Sequence, residues 1–180
     1  MNRRILTAFL LLAPAALAGA DSQWALGQST LTYHVSHPLH QSEGVSHAAR
    51  GKGVCHAGQC DFLIAVPVKS FDSGDSNRDL HMLQATHGGQ FPLVSVRVVL
   101  PEAALESATI LCDLDIQFAG QTATYKQVSF QKVTQGSETR ISGTVPATLS
   151  DFKIAPPSLL TVPVKNEMPV RVDMSWHPQN

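Results

Sequence analysis

The side chains in this sequence that could do chemistry fall into a few groups, and their spacing decides what they can do. Five histidines, His34, His37, His40, His47 and His56, lie in the N-terminal third beside Cys55 and Cys60. Imidazole and thiolate are the donors that hold zinc or copper. The run Cys55-His56-Ala57-Gly58-Gln59-Cys60, however, has neither the C-x-x-C-H of haem attachment nor the paired C-x-x-C of a structural zinc site. Pro38 also denies His34, His37 and His40 a common helical face. The residues therefore assign no metal ligands, and a metal- or redox-linked accessory role is kept as the alternative reading. Serine, histidine and aspartate are plentiful, yet nothing resembles a nucleophile elbow or another nucleophile–base signature. No catalytic residue and no cofactor are expected. There remain Arg78, Asp79 and His81, which can meet a polar head group or, as a cap and an ion pair, fix a small helix as a lid.

That helix is the one such element in a strand-rich chain. Ser76 followed by Asp79 fits a capping box, Leu80 and Leu83 share one face, and Gly88-Gly89 supplies a stop. Around it, runs of period-two alternation recur between turn signals. Ser29 to Ser36 sets Leu31, Tyr33 and Val35 against Thr30, Thr32 and His34. Phe62, Ile64, Val66 and Val68 make a second face, and Cys112, Leu114, Ile116 and Phe118 a third. Leu93 to Leu100 is mostly apolar on both faces, as a strand covered from both sides would be. Thr122, Thr124, Val128 and Phe130 fall in phase along the next run, with Lys126 interrupting. Alternation continues through Ile141, Gly143, Val145, Ala147 and Leu149, and through Met168, Val170, Val172, Met174 and Trp176. With Trp24 to Leu26 and Ala48 to Val54, about eight strands and one short helix result. Antiparallel strands on short connections must pack face to face or close on themselves, so the class is all-β, sandwich or barrel.

The first twenty residues read as a cleaved signal peptide. Arg3 and Arg4 precede an apolar run from Ile5 to Leu12, and Ala16-Leu17-Ala18 or Ala18-Gly19-Ala20 offers a cleavage site. A periplasmic or secreted protein is expected, with residues 21–180 as one domain. Without Arg3 and Arg4, eleven basic residues face 14 acidic ones, a net charge of about −3 with neutral histidines. This balance offers no basic footprint for nucleic acid. In an oxidising compartment Cys55 and Cys60 read as a hairpin-closing disulfide worth about 2 kcal/mol in the chain-entropy model. Cys112, the third cysteine, is expected as a packed thiol on a buried face.

Taken in order, several segments resemble the YceI-like polyisoprenoid-binding proteins. Ser29-Thr30-Leu31-Thr32-Tyr33-His34-Val35-Ser36-His37 is similar to that family's H-S-x-[apolar]-x-F-x-V-x-H, with Gln28 where the first histidine is usual. Ser76-Asn77-Arg78-Asp79-Leu80-His81-Met82-Leu83 resembles its N-x-R-D-x-H-[LM] helix, and Phe91-Pro92 its following strand start. Phe118-Ala119-Gly120-Gln121-Thr122 resembles the x-G-x-T hairpin, and Ile141-Ser142-Gly143 the glycine strand. Ser150-Asp151-Phe152-Lys153-Ile154 resembles the S-D-F-G-I corner, with Lys153 in the glycine's place. The Cys55–Cys60 pair is not a general feature of the family.

The resemblance implies a single antiparallel lipocalin-like barrel whose lumen holds a long apolar chain, a polyisoprenoid or a fatty-acyl lipid. It implies a carrier or a sequestering protein, not an enzyme, that meets a membrane or a membrane protein only transiently. The candidate lining comes from the apolar faces: Leu31, Tyr33, Val35, Phe62, Ile64, Val66, Leu114, Ile116, Phe118, Val128 and Phe130. A third reading, an interaction module, requires a barrel filled by these side chains and contacts made by a surface loop from Ser36 to His47.

Overall fold

The computed structural model describes residues 21–38, 40–159 and 162–179. The expected signal peptide, residues 1–20, lies outside the described residues. Eight strands close into an antiparallel barrel: β1 (Ser22–His37), β3 (Arg50–His56), β4 (Gln59–Pro67), β5 (Leu93–Pro101), β6 (Thr109–Phe118), β7 (Gln121–Gln135), β8 (Glu138–Val145) and β11 (Val170–Gln179). Pairing of β11 with β1, from Gln23↔Gln179 to Tyr33↔Val170, seals the ring. The extra strand β2 (His40–Ser46) continues the wall beyond β3, pairing with the C-terminal half of β1. A two-residue ladder, β9 (Ser158–Leu159) with β10 (Val162–Pro163), lies outside the ring. No helix among the described residues is long and apolar enough to cross a membrane.

The alternation read from the sequence maps onto inside and outside. Ile110, Cys112, Leu114, Ile116 and Phe118 are all buried along β6, and Cys60, Phe62, Ile64 and Val66 along β4. Trp24–Leu26 and Ser29–Ser36 are one strand, with a register shift between Leu26 and Ser29. The segment from Ser36 to His47 is mostly the β1–β2 hairpin and not a loop. On β5, Leu93 and Val99 are exposed, so that strand is covered on its inner side alone.

A bulge on β7 overturns one expectation. Gln127 adopts a left-handed φ of 52°, where its N–H donates to Asp113 Oδ1 at 2.9 Å, and Lys126 Nζ donates to the other carboxylate oxygen at 2.7 Å. The extra residue shifts the pleat by one. Before it, Ala123 and Tyr125 are partly buried while Thr122 and Thr124 are exposed; after it, Val128 and Phe130 are buried. The threonines therefore lie on the face opposite to Val128 and Phe130.

Helix α1 (Ser76–Ala85) lies between β4 and β5. Its N-cap is Asp75, one residue before the expected Ser76, and its carboxylate accepts from the N–H groups of Asn77 (2.9 Å) and Arg78 (3.2 Å). Those hydrogen bonds hold the Asp75 carboxyl below its ordinary pKa. The helix ends in a left-handed His87 (φ 51°), with Gly88 N–H donating to Leu83 O at 2.8 Å, so the turn reverses one residue before the glycines. Leu80 is exposed, and Met82, Leu83 and Ala85 face the core. Lys153 takes φ 53°, ψ 27°, the conformation that the glycine of the S-D-F-G-I corner serves without strain.

The Cys55–Cys60 disulfide forms across β3 and β4, closing a hairpin whose central Ala57 and Gly58 both have positive φ. This is the geometry of a tight two-residue turn that follows the twist of the strands.

Candidate functional site

The inner faces enclose a cavity of about 500 Å³ that runs along the barrel axis. One end is bordered by α1, the β1–β2 hairpin and the 150–158 segment, through Tyr33, His37, Met82, Phe152 and Pro157 among others. The opposite end is bordered by Trp24, Leu100, Leu105, Ile110, Lys132 and Trp176. Of the residues expected in the lining, Leu31, Tyr33, Val35, Phe62, Ile64, Val66, Leu114, Ile116, Phe118 and Phe130 border the cavity. Val128, opposite Cys112 just beyond the bulge, is buried but does not border it.

Why the space stays open is written in three cross-strand pairs. Tyr33 faces Gly44, Phe62 faces Gly53 and Phe130 faces Gly143. A Cβ on those glycines would lie 2.3, 2.3 and 2.6 Å from the opposing ring. Each ring therefore lies flat over a bare stretch of backbone instead of projecting across the lumen. Other rings pack edge-on along the wall, Phe62 against Trp176 at 5.2 Å and Phe118 against Phe152 at 5.3 Å between centroids.

Polar groups gather at the two ends. Arg78 and His81 border the cavity from α1 but are exposed. Arg78 Nη2 donates to Ser73 O at 2.9 Å, and the Asp79 carboxylate, which does not border the cavity, accepts from Ser73 N–H at 3.0 Å. Burial, with Asp79 adding to it, raises the Tyr33 phenol above its ordinary pKa, against the opposing charge of Arg78. Buried His37 places Nε2 3.1 Å from Val162 O. Cys112 borders the cavity as a buried thiol that burial, with the Asp113 charge, pushes up to about 11, so it is not a nucleophile at neutral pH. Trp24 Nε1 and Ser29 Oγ are buried without a hydrogen-bond partner among the described residues.

No family model matches this chain, and no curated protein matches it. Solved structures do. BcnA of Burkholderia cenocepacia superposes with a TM-score of 0.69 at 14% identity over 82% of this chain and 95% of BcnA. A polyisoprenoid binding domain from Saccharophagus degradans, implicated in plant cell wall breakdown, gives 0.68 at 12% identity, covering 87% of this chain and 98% of that one. A mutant CJ YceI protein gives 0.53 at 9% identity, over 99% and 94%. The fold is YceI-like.

Among the described residues of this YceI-like barrel, the histidines do not converge on a metal-binding group. His34 Nδ1 sits 3.0 Å from Glu43, His47 Nδ1 3.0 Å from Ser29 O, and His56 Nδ1 2.6 Å from Asp21, whose carboxylate raises the imidazole pKa. The His40 side chain lies outside the described residues. Among the described residues, Cys55, Cys60 and Glu102 do come within metal-binding distance of one another, but the two sulfurs are joined as a disulfide.

Sequence reasoning missed several residues of the lining. Val145, Leu149, Met168, Val170, Val172, Met174 and Trp176 were legible as apolar faces, and they border the cavity. Met82 and Ala85 border it from the inner side of α1. Lys132 borders it as well, in phase with Val128 and Phe130 along β7.

Proposed function

We propose that this protein binds one long-chain apolar ligand, a polyisoprenoid or a fatty-acyl lipid, inside the barrel, and carries or sequesters it without catalysis. The observation that supports this reading most directly is the axial cavity of about 500 Å³ walled by aliphatic and aromatic side chains. The likeness to a domain described as polyisoprenoid binding points the same way. Burying ten methylene-sized groups in such a space supplies on the order of 8 kcal/mol gross. Lost translational freedom and chain ordering subtract several kcal/mol. The surplus is enough for useful affinity, and it depends on lumen shape more than on any hydrogen-bond code.

In this reading the protein works in the periplasm or outside the cell and meets a membrane, or a membrane protein, only to load and unload. The test is native mass spectrometry on protein purified from its own compartment, followed by organic extraction and lipid identification. One co-purifying apolar chain per barrel is the expected result. A protein that stays ligand-free after incubation with polyisoprenoid and fatty-acyl lipids would overturn the proposal.

A further inference from the structure

The lumen has a charge sign. Among the described residues no aspartate or glutamate borders it, whereas Arg78 and Lys132 do, at opposite ends. Arg78 is exposed and lies in water at the helical end. Lys132 is partly buried at the other end, behind the β7 bulge that turns Val128, Phe130 and Lys132 inward. Its neighbours on the inner wall are apolar or neutral: Ile141 directly across the ladder, with Ile110, Leu105 and Thr139 beside it at that end of the cavity.

The ammonium donates to the Leu105 carbonyl, at the end of a short 3-10 turn. That bond uses one of three N–H donors. Among the described residues no carboxylate lies within ion-pair distance of it, although Lys126, Arg97, Arg140 and Arg171 all have such partners. Glu102 and Glu106, on the same turn as Leu105, and Glu138, at the start of β8, are exposed and appear in no ion pair among the described residues. At the same end the buried Trp24 indole N–H lacks an acceptor among the described residues. A cation set among apolar side chains is costly unless something anionic meets it, and partial burial spares it much of the screening that weakens Arg78.

We infer that Lys132 is the head-group anchor of the lumen, and that the preferred ligand is an anionic amphiphile, a carboxylate or phosphate ester. Its acidic end lies at the Lys132 end and its chain runs toward α1. This assignment rests on the carrier reading above and gives the ligand a direction and a charge. The chemistry shared by carboxylate and phosphate is a compact oxyanion that accepts charge-assisted hydrogen bonds from the ammonium.

The test compares binding of hexadecanoate, hexadecyl phosphate and hexadecanol to the delipidated full chain, in the wild type and in the Lys132→Met, Lys132→Arg and Arg78→Met variants. The wild type should prefer an acidic probe over the alcohol by about tenfold, the size of one charge-assisted bond. Which acid gains more separates a fatty acid from a phosphate ester as the head. Lys132→Met should bring the ratio of acid to alcohol affinity to about one. Lys132→Arg should retain the preference, and so should Arg78→Met. Equal affinity for acid and alcohol in the wild type overturns the inference and leaves the carrier reading standing. Loss of the preference in Arg78→Met, with retention in Lys132→Met, moves the head to α1 and overturns it too. Binding of none of the three probes overturns the inference, and the polyisoprenoid incubation above then decides the carrier reading separately. Should Lys132→Met fail to fold, the wild-type ratio and the Arg78→Met variant still decide.

Discussion

At the scale of single residues, the width of the lumen is set by what is absent as much as by what is present. Gly53 lets the Phe62 ring lie against the wall; a methyl there would sit 2.3 Å from that ring. Gly53→Ala should therefore push Phe62 inward at a cost of about 1–3 kcal/mol and shift ligand preference to shorter or thinner chains. Phe118→Ala removes a ring that borders the cavity and should shift the preference the other way, costing about 3–5 kcal/mol. A chain-length series measured on both variants checks the pair, and two unchanged profiles would remove these positions from the ligand's path. Cys112 gives a second prediction, in which the sign matters. Its thiol is held at about 11 in the fold against 9.0 for the ordinary group. Below pH 9 both folded and unfolded chains carry the proton. Between pH 9 and 11 only the unfolded chain ionises, so stability should fall by about 1.4 kcal/mol per unit and then level off. Denaturant titrations from pH 8 to 11 on wild type and Cys112→Ala test it, since the alanine variant should lack this component of the decline.

At the scale of elements, α1 is a lightly held piece of the cavity wall. Its inner side gives Met82, Leu83 and Ala85 to the core, none of its residues is buried, and its first turn depends on the Asp75 carboxylate. Asp75→Ala should leave the N–H groups of Asn77 and Arg78 unpaired and raise the opening frequency of α1, with the barrel untouched. Hydrogen exchange should then quicken across 77–85 and remain unchanged on β6 and β7, and ligand release should quicken with it. Uniform loss of protection would show that α1 and the barrel open as one unit. Because the fold lowers the Asp75 pKa, the cap contributes above the ordinary carboxylate range and is lost as the pH falls below it. Element positions were largely legible because period-two burial is a local consequence of the pleat. What was not legible followed from single residues in left-handed conformations. Gln127 and His87 both adopt positive φ without being glycine, and neither announces it in sequence. The first reverses the phase part-way along a strand, which is why Thr122 and Thr124 read as sharing a face with Val128 and Phe130. The second moves the end of α1 by a residue and changes nothing around the cavity.

At the scale of the whole molecule, closure and emptiness pull against each other. The β1–β11 ladder leaves the ring without a free edge, so the fold does not depend on the hairpin disulfide to stay shut. The outer ion pairs, Arg97–Asp61, Lys126–Asp113 and Arg171–Glu43, are exposed and contribute little each. Stability therefore comes from the inner faces, and these surround about 500 Å³ that no side chain fills. Those walls forgo dispersion contacts that a ligand would restore. A molecule built this way should be distinctly more stable when loaded. At a free ligand concentration one hundred times Kd, binding adds about 2.7 kcal/mol. For a domain of this length that corresponds to a rise in Tm of roughly 5–10 °C. Calorimetry on protein stripped by organic extraction, then on the same sample titrated with hexadecanoate, measures it. The shift should grow with the logarithm of ligand concentration, as binding to the folded state alone requires. A melting temperature indifferent to hexadecanoate would mean that the folded barrel does not bind it.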